Sequence, residues 1–536
     1  MAFLRLEKKK SGRYLRIVES YKDEQGKSRH KTLHSLGKVE DYPPEQLERI
    51  GKKILQAAGV RLEEIIPETF EETGRYNYGY IFVLRRLWKI FRMDEWARKV
   101  GGRRKHKMDW VSALELMLAE RLADPVSKLQ SSFNKDEYLG LRDKQIDLQH
   151  LYRTLDILSD EENSLKKHMF NQQRNLFSER LDVVFYDVTT LYFDSQKEQE
   201  ESLRQKGYSK DGKAHKTQIV LGLLVDKLRN PISFDIYKGN TSEGTTLEDA
   251  LSRLKKDFDI DRVVVVADSA MIRKSNRELI EGFEYDYVIG DRIKNLPKKV
   301  ISKLIDPENH KALGTDKKQI FSYAEIQYQG RRLICTYSAK RARKDSAQRV
   351  KLLEKADALI KDPSRLKQKR KRGAARYITQ SDTEGVLKLD TDKIMADARF
   401  DGYKVISTNS KMAVEEILTK YKDLWEVEHA FRTLKSNLEI RPMFHWTDRR
   451  IQGHVIMCFI AYSFLNYLRN HADMQLREIT KGLNSMQMSA VKMSKSQELI
   501  YMRSSITEYQ HKLFTTLKLT PPRDVNPQET INQYFM

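Results

Sequence analysis

Two rhythms of apolar and polar residues run along this chain, and the change between them falls at Leu181. From Tyr76 to Phe177 apolar residues recur every three or four positions (YIFVLRRLWKIF, DWVSALELMLAERLAD, LQHLYRTLDILSD), which predicts a helical region. After Leu181 the segments LDVVFYDVTTLYF, TQIVLGLLVD, ISFDIYKGN, RVVVVAD and YDYVIG are rich in β-branched and aromatic residues and read as five strands. Helices are predicted over 245–258, between the third and fourth strands, and over 272–282, between the fourth and fifth.

Outside this block the pattern is more broken. RYLRIVESY and SRHKTLHSLG flank DEQGK and predict a basic hairpin, ended by Pro43 and Pro44 and followed by a helix from Glu45 to Ala58. Between 295 and 400, QIFSYAEIQY and RRLICTYSA read as short strands and RVKLLEKADALI as a helix. A basic run follows: Lys367, Lys369, Arg370, Lys371, Arg372 and Arg376. It is read as the phosphate-binding face of an inserted β-rich domain, against the alternative of a charged loop. Strand character returns over 402–408. The stretch Tyr421–Trp446 then reads as an amphipathic helix, and Asp448–Arg469 as an apolar one. The tail from Met474 reads as polar, without a core of its own. The expected divisions are 1–70 (hairpin and helix, candidate DNA contact), 71–180 (helical DNA-binding region), 181–294, the 295–400 insertion, 401–473, and the 474–536 tail.

Composition sharpens this outline. The chain has 536 residues, too many for one core. Its 98 Lys and Arg against 76 Asp and Glu leave a formal charge of +22, which calls for a polyanionic partner, nucleic acid first. Cys335 and Cys458 lie in apolar runs and read as buried thiols of a reducing compartment. No signal-peptide pattern opens the chain, and the apolar run Val455–Leu465 is too short to span a bilayer. A soluble cytoplasmic protein with no membrane partner is expected.

Three carboxylates stand out against this background. Asp187 lies inside the first strand, among apolar neighbours, and Asp268 ends the fourth. The order of three strands, helix, strand, helix, strand is that of a ribonuclease-H-like mixed sheet, whose central first strand lies beside the fourth. Both carboxylates then reach one edge of the sheet. Glu428 falls on a helical stripe with Tyr421, Leu424, Phe431 and Lys435. Taken singly, Asp187 reads as a hydrogen-bonded core residue, Asp268 as a strand-end cap and Glu428 as a surface salt-bridge residue. Taken together, three oxygen ligands without a His or Cys cluster suit Mg²⁺, with Mn²⁺ as substitute. Such a site can hold two ions about 3.5–4 Å apart for phosphoryl transfer.

The motifs YDVTTLYF, GYSKDGK, ADSAM, YSAKRARKD, LWEVEHAFRTLKS and IRPMFHW, spread over 185–468, resemble those of bacterial insertion-sequence transposases of the DDE class. The resemblance is to the family-four-like group with a Tyr-Arg-Glu-Lys signature, here Tyr421, Leu424, Glu428 and Lys435. Leu424 replaces the Arg, and Ala270 in ADSAM stands where Gly is usual. The resemblance implies that Asp187, Asp268 and Glu428 are the metal ligands. Thr189 and Thr190 would support the site or approach the scissile strand. Tyr421, Lys435 and more weakly Arg432 would hold transposon-end phosphates, with Lys369, Arg370, Lys371 and Arg372 as further DNA contacts. It implies cut-and-paste transposition of double-stranded DNA through a hairpin, by a homodimer that pairs two ends, in a bacterial cytoplasm at the nucleoid. The hairpin step calls for an aromatic stacked on a flipped base. Residues 295–400 contain no Trp, which leaves Tyr323, Tyr328, Tyr337, Tyr377 or the outlying Trp446. A nuclease on the same fold and a non-catalytic DNA-binding relic are the alternatives.

Overall fold

The computed structural model describes residues 2–535 apart from 60–69, 105–107, 178–181, 199, 209–214, 243–244, 259, 261–262, 270–272, 314–320, 363–372, 381–386 and 495; residues 175–177 and 321 are described as backbone alone. The chain forms two compact units, one of residues 1–74 and 490–500, the other of 75–489 and 501–536.

In the first unit β1 (Ala2–Lys9), β2 (Gly12–Lys22) and β3 (Ser28–Lys38) form an antiparallel meander, followed by helix α1 (Pro44–Ala57). The β2–β3 turn is held by the Asp23 carboxylate, which accepts from the backbone N–H of Gln25 and Lys27. Gly26 takes the positive φ of +76° that this turn requires. The strand β1 has no counterpart in the sequence reading. Nearly all of its side chains are exposed, so it carries no alternation that betrays a buried face.

Strand β4 (Phe70–Asn77) leads into the second unit, whose first part is helical: α2 (Gly79–Ile90), α3 (Met93–Gly102), α4 (Trp110–Ala123), α5 (Lys128–Asn134), α6 (Leu148–Asp160) and α7 (Glu162–Phe177). A nine-stranded mixed sheet follows. It is built from β5 (Val183–Tyr192), β6 (Gln218–Val225), β7 (Pro231–Lys238), β8 (Val264–Ala267), β9 (Asp286–Asp291), β10 (Lys311–Ala312), β11 (Phe321–Tyr328) and β12 (Arg331–Ser338), with β15 (Tyr403–Thr408) as the ninth member. The small pair β13 (Ile378–Gln380) and β14 (Leu387–Leu389) stands apart from it. The order across the sheet is β10-β11-β12-β15-β9-β8-β5-β6-β7.

The first and fourth of the five expected strands, β5 and β8, are parallel neighbours, with Tyr186 opposite Ala267. The sheet is nevertheless wider than five strands. An edge at β9 would leave a row of unpaired backbone groups. β15 covers it, pairing Ile406 with Gly290, and β12 and β11 continue from β15. Strands β10, β11 and β12 of the 295–400 segment thus extend the same sheet.

Helices α8 (Leu247–Lys256) and α9 (Lys274–Gly282) cover one face of the sheet. Their Leu247, Ala250, Leu251, Leu254 and Ile280 meet Val184, Tyr186 and Val188 of β5, Val265 and Ala267 of β8, and Tyr287 and Ile289 of β9. In the 295–400 segment α10 (Lys298–Ile305) packs on β11 and β12, α11 (Ala339–Lys361) on β12, and α12 (Thr391–Ala398) on the cluster of α11 with the β13–β14 pair. On the opposite face α13 (Val414–Lys422) packs on β8 and β9, and α14 (Trp425–Arg432) on β5 and β6.

Helix α15 (Asp448–Ala472) packs against α4 and α6 as the centre of the helical part. Its approach to α6 is close: a Cβ on Gly453 would stand 2.1 Å from the Leu155 carbonyl oxygen. This helix is long and apolar enough to cross a membrane, but 94% of its apolar window is buried within the protein, as in a core helix. The tail also differs from the polar, coreless reading. Leu476–Asn484 and Glu508–Leu517 are amphipathic helices that bury Ile479, Leu483, Leu513, Phe514 and Leu517. Few apolar residues at helical spacing suffice when the rest of the unit supplies the core.

A candidate active cleft on one face of the sheet

Strand alternation sorts the site residues by face. Val184, Tyr186 and Val188 point toward α8 and α9, so Asp187 and Thr189 point to the other face and Thr190 does not. Val265 and Ala267 likewise place Asp268 on the face opposite α8 and α9. Asp187 and Asp268 each follow the last paired residues of β5 and β8, Tyr186 and Ala267. The two carboxylates therefore stand side by side on one face, where β8 ends and β5 continues. Asp187 is half-buried, and one of its oxygens accepts from the Val188 N–H at 2.7 Å; Asp268 is exposed. Both threonines are buried.

Glu428 comes to this face on α14. The predicted single helix over Tyr421–Trp446 is in fact α13 and α14, separated at Asp423–Leu424, followed by one π-helical turn over Thr433–Asn437. The buried stripe runs through Val414, Ile417, Tyr421, Leu424, Val427, Phe431 and Leu434. Glu428 lies one position past Val427, at the rim of this stripe, and is exposed rather than inward-facing as the stripe count implied. The buried carboxylate of α14 is Glu426, which forms an ion pair with Arg229. Lys435 is half-buried in the π turn, and Arg432 is exposed. Neither lines the cleft described next.

A cleft of about 740 Å³ opens over the sheet between α13, α14 and the start of α11. Asp268, Glu428, Tyr421, Lys404, Arg341 and Trp425 are among its lining residues; Asp187 lies one strand beyond. Tyr421 is buried, and its hydroxyl lies within the field of the Asp268 and Glu428 carboxylates. Burial, reinforced by the charges of Asp268 and Glu428, raises its pKa, so it stays a neutral donor. Its place depends on Gly290 of β9, where an added Cβ would stand 2.3 Å from the Tyr421 oxygen. Tyr421, expected to hold a transposon-end phosphate, is thus buried beside Asp268 in the wall of the cleft.

Lys404 was missed in the sequence. It sits on β15 with its ammonium 4.1 Å from the centre of the Tyr421 ring. Burial and the like charge of Arg341 push its pKa down to about 8, against the pull of Asp268 and Glu428. The signal was present in GYKVIST, where alternation puts Lys404 on the same side as Ile406.

Two groups of expectations fall elsewhere. Lys369, Arg370, Lys371, Arg372 and Ala270 lie outside the described residues. Of the stacking candidates, Tyr377 is fully buried with its hydroxyl on Asp397, so it presents no face to a base. Tyr337 packs against Tyr403, with ring centres 4.9 Å apart, and Tyr323 and Tyr328 lie on β11. Of the five tryptophans three are buried, and Trp425 and Trp446 are exposed.

Among the described residues no three His, Cys, Asp or Glu side chains are drawn together closely enough to hold an ion as they stand. The donor set still fits a hard divalent cation. Asp268 and Glu428 line the cleft, Asp187 lies one strand beyond on the same face, and Lys404 supplies positive charge beside the first two.

Comparison with known proteins agrees in kind. The model for the transposase DDE domain matches residues 178–464, and that for the N-terminal domain of IS1634 family transposases matches residues 4–64, a region where the sequence carries no motif of its own. No curated protein matches. Among solved structures the chain is similar to one described as a piggyBac transposase synaptic complex with hairpin DNA, at 9% identity and a TM-score of 0.38, covering 86% of this chain and 87% of that one. The DDE-domain match takes in more than half of the 536 residues, and the chain belongs to the DDE transposase family.

Proposed function

We propose that this enzyme is the DNA transposase of an insertion sequence, cleaving DNA at the element's ends and joining the freed 3′-OH to target DNA on a ribonuclease-H-like core. The observation that carries the reading is the placement of Asp187 and Asp268 side by side on the face of the sheet that α14 covers with Glu428. These three carboxylates would hold divalent ions, Mg²⁺ or Mn²⁺ and two in number. Bound there, such ions supply charge stabilisation at the phosphoryl oxygens and a nucleophile of lowered pKa.

The chain's own residues orient and balance that site. The Tyr421 ring stands in the cleft between Asp268 and Lys404, and the Val188 N–H holds the Asp187 carboxylate. Glu428, exposed at the rim of its helix, lines the same cleft as Asp268. Tyr421, Glu428 and Lys435 are read as the retained members of the Tyr-Arg-Glu-Lys signature. Leu424, buried against the core, takes the place of its Arg as a packing residue. A hairpin intermediate requires an aromatic ring open to a flipped base, and Trp425 and Trp446 are the exposed indoles. A homodimer would pair the two ends.

The test uses a duplex copied from the DNA bordering the gene. Mg²⁺-dependent cleavage followed by joining to a second duplex is expected from the wild type. Cleavage without joining would indicate a nuclease, and binding without cleavage a relic.

A further inference from the structure

Lys404 is difficult to explain as a structural residue. Its side chain is half-buried, and among the described residues its ammonium makes no hydrogen bond or ion pair. It rests over the Tyr421 ring at 4.1 Å. Removing an ammonium from water without a paired anion is costly, and a cation–π contact offsets only part of that cost.

A second cation faces the same space. Arg341, in the first turn of α11, lines the cleft, and its charge acts against that of Lys404. Its nearest carboxylate is Asp345 on its own helix, at 3.6 Å. Two like charges brought together across a cleft are unfavourable unless an anion sits between them. The backbone adds to the same field. The 23-residue helix α11 begins at the cleft, where Ser338 caps it by accepting from the Arg341 N–H, so its positive end opens there.

Asp268 and Glu428 balance Lys404 in the structure as it stands. Once those carboxylates are engaged with a cation, Lys404 is left without a counter-charge, and Arg341 keeps only its pair with Asp345. We propose that Lys404 and Arg341 form a two-cation seat for one backbone phosphate of the DNA strand that enters the cleft. The seat joins a residue of the 295–400 segment to one of the core, and so places that phosphate between the two. Its identification with DNA rests on the transposase reading; the anion site itself rests on the geometry.

The experiment measures how binding of a pre-nicked duplex, copied from the DNA bordering the gene, depends on salt. It uses the full-length chain and its Lys404→Gln, Arg341→Gln and doubly substituted forms. Arg341 is half-exposed, so its variant tests the seat even where Lys404→Gln unfolds. Each phosphate that the protein ceases to neutralise lowers the slope of log affinity against log salt by about one. Each single variant is expected to lose about one unit and the double variant no more, because neither cation holds the one phosphate without the other. Lys404→Arg is expected to restore the slope. Slopes unchanged in the single variants overturn the seat and leave Lys404 as an internal counter-charge for Asp268 and Glu428. A loss of about two in the double variant overturns the shared phosphate. Wild-type cleavage with unchanged slopes would sink the seat alone. Shifted slopes with no cleavage by the wild type would sink the transposition reading and keep the seat.

Discussion

The two faces of the central sheet are made by the same strands and have opposite characters. Toward α8 and α9, the strands β5, β8 and β9 present Val184, Tyr186, Val188, Val265, Ala267, Tyr287 and Ile289, all buried. Toward α13 and α14, by alternation, they present Asp187, Asp268 and Gly290, with Lys404 on β15. A period of two lets one strand serve packing with one set of residues and chemistry with the next. The first face can pay for the second: carboxylates left partly open to water contribute nothing to the core, and the apolar side carries the burial. Substitutions on the two faces should therefore fail in different ways.

The largest separation is expected at the carboxylates. Asp187→Asn and Asp268→Asn should reduce cleavage on the order of 10³-fold, since several kcal/mol of transition-state stabilisation is removed at about 1.4 kcal/mol per decade. Stability should change by no more than about 0.5 kcal/mol for the exposed Asp268. On the other face Leu251→Ala should cost about 2–5 kcal/mol of unfolding free energy, read by denaturant titration, with cleavage per folded molecule retained. A large activity loss in folded Leu251→Ala would erase the distinction between faces.

Between these lies the Gly290–Tyr421 contact. Gly290→Ala should cost about 1–3 kcal/mol, because the new methyl meets the Tyr421 oxygen. The cost should shrink by about 0.5–3 kcal/mol in a Tyr421→Phe background, as a double-mutant cycle would show. Additive effects would mean that Tyr421 is held in place by something other than Gly290. A cost of the same size, about 1–3 kcal/mol, is expected from Glu426→Gln, which leaves the partly buried Arg229 without its carboxylate while cleavage persists. Glu428→Gln, two residues away, should do the reverse.

The legible parts of this fold were those with strong local periodicity. The five strands from β5 to β9 could be marked because fully buried strands read as unbroken apolar runs, and an Asp within such a run is conspicuous. The parallel β5–β8 neighbourhood followed from connection order. What stayed hidden depended on long-range contacts. The pairing of β15 with β9 joins residues more than a hundred positions apart, and no local pattern encodes it. Counting a stripe from Glu428 assumed one straight helix, whereas the break at Asp423–Leu424 and the π turn shift the register and bury Glu426 instead. Tyr421 turned toward Asp268 because β9 offers a glycine there, a fact about a strand remote in sequence. The N-terminal strands were the least legible: with most side chains in water, β1 could not be told from a loop.

The central claim is that the polar face is a metal-dependent cleavage site assembled from Asp187, Asp268 and Glu428. It is tested most directly by incubating wild type and Glu428→Gln with a duplex copied from the DNA bordering the gene, with Mg²⁺ and with chelator, following strand cleavage and DNA binding together. The account predicts Mg²⁺-dependent cleavage by the wild type alone, with binding intact in both proteins. Cleavage by Glu428→Gln at the wild-type rate would contradict it.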